Sequence, residues 1–118
     1  MATLLVNTGK AIVTSRLNSG GTIPQYVAWG TGAGTTAATD TTLFTETGTR
    51  VSGTVSQVTT NDTFQVVGTQ TAGATLAITN AGLFDASTAG NLFAKGDFST
   101  INLSSGDSIQ FTFKVQFS

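Results

Sequence analysis

The chain contains no cysteine and no histidine, and charged side chains make up only 9% of its 118 residues, where soluble domains usually carry about 25%. Each absence removes a class of chemistry. Without cysteine there is no disulfide framework, no thiolate zinc site and no sulfur nucleophile; without histidine there is no imidazole base. The five cations, Lys10, Arg16, Arg50, Lys95 and Lys114, never form a run. Nothing would neutralise a row of phosphates, so nucleic-acid binding is not expected. No apolar stretch approaches the ~20 residues that span a bilayer. The opening residues, Met1 to Asn7, lack a basic region followed by a long apolar one, and do not read as a signal peptide.

What is present is small and polar: 24 threonines, 14 glycines and 10 serines. Leu, Ile, Val and Phe nevertheless number 30, and the net charge is −1. The pairing of low hydrophobicity with high charge that keeps a chain unfolded is therefore missing. A chain of this length buries roughly two-thirds of its unfolded surface, and a single domain over residues 1–118 is expected.

Two periodicities organise it. Over residues 8–18, Ile12, Val13, Arg16 and Leu17 follow a helical spacing, with Thr8 as N-cap and Ser19-Gly20-Gly21 as stop. The competing reading is a strand, because Ile, Val and Thr favour sheet. Beyond Thr22 the pattern is of short strands broken by turn residues. In the last, Ser108–Ser118, Ile109, Phe111, Phe113, Val115 and Phe117 alternate with polar residues, which builds one apolar ridge for a core. Further strands are expected at Gln25–Trp29, Arg50–Val58, Thr63–Thr71, Thr75–Ile78, Leu92–Ala94 and Phe98–Leu103, with Gly30–Asp40 as a long surface loop. Recurrent strands without crossover helices indicate an all-β sandwich or barrel. The threonine pairs recur at no fixed period, so no solenoid is expected.

Candidate chemistry is sparse. Gly30-Thr31-Gly32-Ala33-Gly34 meets neither the dinucleotide-binding nor the P-loop spacing. Of the six acids, Asp40, Asp62, Asp85 and Asp107 sit beside expected turns, where Asp caps backbone N–H groups. No acid-rich cluster suggests calcium, and no G-x-S-x-G suggests a serine nucleophile. The glycosylation sequons at Asn61 and Asn102 read as coincidence. A Lys–Asn isopeptide crosslink would need Glu46 or an Asp beside the pair. Neither a cofactor nor a metal is expected. Tyr26 and Trp29, the only Tyr and Trp, fall on opposite faces of a strand, one packed and the other reaching outward.

A family resemblance goes further. Residues 24–32, PQYVAWGTG, resemble the P-x-Y-I-x-W-G-x-G opening of small structural proteins of tailed double-stranded-DNA bacteriophages. Asp40-Thr41-Thr42-Leu43 with Glu46 and Arg50 resembles their D-T-x-L…E…R segment. Residues 78–84, ITNAGLF, resemble I-T-E-A-G-L-F, and residues 90–95, GNLFAK, resemble G-x-L-x-A-R. Asn80 stands where an acid is usual and Lys95 where Arg is usual, so an ion pair between such positions is not carried over. The resemblance covers nearly the whole chain. It implies a non-enzymatic virion protein made in the host cytoplasm: a capsid decoration (cement) protein with a jelly-roll-like antiparallel sandwich, bound to the major capsid protein and forming a homo-oligomer, dimer or trimer. Tail-tip or fibre modules are similar too, and a carbohydrate-binding sandwich is a third reading. Candidate partner contacts are Ala2, Thr3, Leu4, Leu5 and Val6, as an extended arm over residues 1–6 reaching a neighbour's sheet edge, together with Tyr26 and Trp29.

Overall fold

Apolar side chains that recur every second residue need two layers to cover them, and the chain supplies two. A computed structural model describes residues 3–17, 20–59 and 63–116. In order they form β1 (Thr3–Leu5), α1 (Asn7–Leu17), β2 (Tyr26–Gly30), β3 (Glu46–Ser52), β4 (Thr54–Thr59), β5 (Thr63–Thr71), β6 (Leu76–Phe84), β7 (Leu92–Leu103) and β8 (Ser108–Gln116). One sheet has the order β1-β7-β6-β2-β3 and the other β4-β5-β8. Every pairing in both is antiparallel. The fold is the expected antiparallel β-sandwich, with one N-terminal helix.

Between the sheets lie two buried clusters, Ile12, Val27, Val66, Leu83, Phe93 and Ala94, and Trp29, Ala72, Ile78, Ala81 and Leu103. Edge-on ring pairs join the layers: Trp29 with Phe111 at 6.2 Å between centroids, and Phe64 with Phe93 at 6.0 Å. Such pairs add about 0.5–1.5 kcal/mol beyond burial. The five-stranded sheet is covered on its outer face as well. There Val6, Ala28, Leu43, Phe84 and Leu92 form a third cluster beneath the connection over residues 31–45. That connection contains the expected surface loop, yet its Thr36 and Leu43 are buried.

Burial on both faces explains where the strands outrun their sequence signals. The expected Thr75–Ile78 strand continues to Phe84, and the expected Leu92–Ala94 and Phe98–Leu103 strands are one, β7. Strands covered on both sides lose the alternation that marks a half-buried one. Conversely, the single strand expected over Arg50–Val58 is two. Gly53 is where the chain passes from one sheet to the other: its N–H bonds Gln25 O at 2.7 Å, and a Cβ there would meet Val66 Cγ1 at 2.5 Å. Asn61-Asp62 and the end of the last expected strand, Phe117 and Ser118, lie outside the described residues.

The helix forms, but Thr8 is not its cap. The Thr8 hydroxyl donates to Leu92 O at 2.6 Å, tying α1 to β7, while the Lys10 N–H bonds Val6 O at 3.1 Å. Gly9 sets the distance between them: a Cβ there would sit 2.0 Å from Phe93 O, so only glycine lets the helix rest on the strand. Among the described residues no helix is long and apolar enough to cross a membrane.

Candidate functional site

Most of the chain's unusual polar residues converge on the outer face of the five-stranded sheet. Asn80 is fully buried, and its amide completes both backbone bonds of Phe44: Oδ1 accepts from Phe44 N and Nδ2 donates to Phe44 O, each at 3.0 Å. It serves as a strand edge for a segment that is not a strand. Two positions along the next strand, Lys95 is also fully buried. Its Nζ donates to Asp40 Oδ2 and to Thr42 O, both at 2.9 Å, and lies 3.3 Å from the centre of the Phe44 ring. Burying an ammonium is costly unless it is paired and hydrogen-bonded, and both conditions hold. The Lys95 ammonium, helped by the Ala37 N–H, holds the Asp40 carboxyl below its ordinary value of 3.8, while burial opposes the shift.

A second lock fixes the turn between β6 and β7. Arg50 donates to both carboxylate oxygens of Glu46, at 2.8 and 3.0 Å, and to Ala86 O and Ala89 O at 2.9 and 2.7 Å. Its guanidinium lies 3.5 Å over the Phe84 ring. Asp85 closes the turn by accepting from Asn91 N at 2.7 Å. The planar guanidinium fork suits this set of acceptors in a way an ammonium does not.

The acids, amide and cations of the three motif segments are thus engaged within the chain, and they position backbone. Lys95 meets a carboxylate rather than an asparagine amide, and Glu46 is held by Arg50. An ionised Asp40 carboxylate is also a poor electrophile, so this geometry does not fit the isopeptide crosslink. Among the described residues no group of three or more Asp and Glu could hold a metal ion.

The expected partner contacts divide. Trp29 and Val6 are buried, at 1% and 0% exposure, because the two sheets and the covering connection close over them; neither is open to a partner on this chain. Tyr26 is half-buried against the outer-face cluster. Thr3, Leu4 and Leu5 are not a free arm. They pair with Gly96, Lys95 and Ala94 as the edge of the chain's own sheet, leaving Thr3 exposed and both leucines half-buried. Ala2 lies outside the described residues.

The ridge of β8 faces inward as expected, but Ile109, Phe111, Phe113 and Val115 are only half-buried. Beside them runs a groove of about 920 Å³, walled by Thr3–Leu5, Ala94, Gly96, Phe98 and residues 111–116. Alternation alone marked β8 as amphipathic. It carried no sign that its covering layer would be incomplete. Comparison with protein-family models, curated proteins and solved structures finds no match.

Proposed function

We propose that this chain is a non-enzymatic virion protein that binds the outside of a tailed-phage capsid, contacts the major capsid protein and cements the shell. The observation that carries the reading is the convergence of the motif segments. Asp40 and Arg50 of the resembling segments, with Asn80 and Lys95 at the two positions that depart from them, hold backbone in place, and Glu46 fixes Arg50, a set of roles suited to a scaffold. A binder that prefers the assembled shell to free subunits shifts the equilibrium toward the shell by mass action. A surface with few charges gives a free monomer little colloidal protection, and such a surface is better suited to contact with neighbours, including further copies of the chain. The test is copy number in purified virions, read as stained-gel stoichiometry against the major capsid protein. Hundreds of copies are expected. A handful would move the protein to the tail, and none would refute a virion role.

A further inference from the structure

We infer that the groove between β1 and β8 is a receptor for one extended strand of another polypeptide, with apolar side chains at alternate positions. The shape of the groove supports this. Its lining includes both the inward residues Phe111, Phe113 and Val115 and the outward residues Thr112, Lys114 and Gln116, so it follows the edge of β8 that no strand pairs among the described residues. Three consecutive residues of β1 line the other wall, and β1 is likewise an edge. A groove bordered by two free strand edges offers rows of backbone donors and acceptors together with an apolar floor of Leu5, Ala94, Phe98 and Phe111.

The four sheet edges are not equivalent. β1 has three residues. The pairing of β4 shifts between Gln57 and Thr59, and that of β3 shifts against β2 between Val27 and Trp29. Only β8 pairs over nine residues without a shift, and it carries one charge, Lys114. Short edges, bulges and charges are the usual protections against strand addition; β8 has little of them. Strand addition of this kind draws affinity from main-chain bonds and specificity from alternate side chains.

Phe111 of β8 packs against Trp29 of β2 and Phe98 of β7, while β1 lies beyond β7 in its sheet and walls the groove, so the five-stranded sheet extends past β8 at this side. Pairing β8 with the same strand of a second folded copy, about 4.8 Å away, would bring two overhanging sheets into the same space. A single strand meets no such obstacle. The inference goes beyond the virion reading and does not depend on it.

The probe is a synthetic peptide with the sequence of residues 108–116, SIQFTFKVQ. Laid antiparallel with its Thr at Thr112, it places its Lys opposite Gln110, so like charges do not face each other. Saturable binding is expected, with a change in the emission of Trp29 through Phe111 and slowed amide exchange at alternate residues of β8. A control peptide with serine at the apolar positions should give neither. Of two peptides N-methylated at odd or at even positions, one should bind at least ten-fold more weakly than the other. Equal response to peptide and control, or no response from folded protein, would overturn the inference. So would a dimer by sedimentation whose β8 amides are already protected, which would assign the groove to a second copy.

Discussion

Replacing Asp40 by alanine leaves the ammonium of Lys95 inside the protein with no counter-charge, and the structure says how that should register. Lys95 has 0% side-chain exposure and Asp40 21%. Removing one partner of a buried pair costs about 3–5 kcal/mol, and the partial exposure of Asp40 places this case near 3 kcal/mol. With a urea slope of roughly 1.5 kcal/mol/M, the unfolding midpoint should fall by about 2 M without a change of slope. Lys95→Met should cost less, about 1 kcal/mol, because Asp40 reaches water and the replacement keeps volume in an apolar site. The double variant should then be more stable than Asp40→Ala alone, since the uncompensated charge is gone. Urea titration followed by Trp29 emission measures all three. If Lys95→Met further destabilises the Asp40→Ala protein, the buried charge is not what the carboxylate relieves, and the reasoning fails. The pH dependence gives a second reading. The folded-state value of Asp40 is lowered, so its contribution is complete above its ordinary value of 3.8 and is lost as pH falls through the folded one. The Asp40→Ala variant should lose less stability than the parent across that acid range.

Three other substitutions test the remaining contacts. Asn80→Asp keeps shape but replaces the amide that donates to Phe44 O with an acceptor, at a predicted cost of about 2–3 kcal/mol, with faster exchange at the Phe44 amide. Arg50→Lys retains charge but loses the fork that reaches Glu46, Ala86 and Ala89; a loss of about 1–2 kcal/mol is expected, with faster exchange at Asn91. Gly9→Ala improves intrinsic helix propensity by about 1 kcal/mol yet should destabilise the protein in urea titration, because the new Cβ meets Phe93 O.

The legible parts of this fold are those with one wet face. β5 agrees with its expected bounds, and β8 reads directly from Ile109, Phe111, Phe113 and Val115 against five polar neighbours. β6 and β7 were harder because Asn80-Ala81-Gly82-Leu83-Phe84 and Leu92–Gly96 are covered on both sides, so no period of two survives. The polar lock was illegible for another reason: Lys95 and Asp40 stand 55 positions apart, and no local spacing unites them. A signal was nonetheless present. Gly30 and Gly82 lie within strands whose outer face is overlaid, and a Cβ at either would collide with Phe44 O or Leu43. Glycine inside an apolar strand points to something approaching closely, and a lone lysine among apolar residues says that this something is polar.

The enclosure of Lys95 also bears on how the molecule can be oriented in any larger particle. Of the three lysines, only Lys10 on α1 and Lys114 on β8 are exposed. Amine-reactive labels therefore have just two internal addresses on the described surface, one on the helix and one on the strand edge. If the protein enters a complex, whichever falls silent names the side that docks.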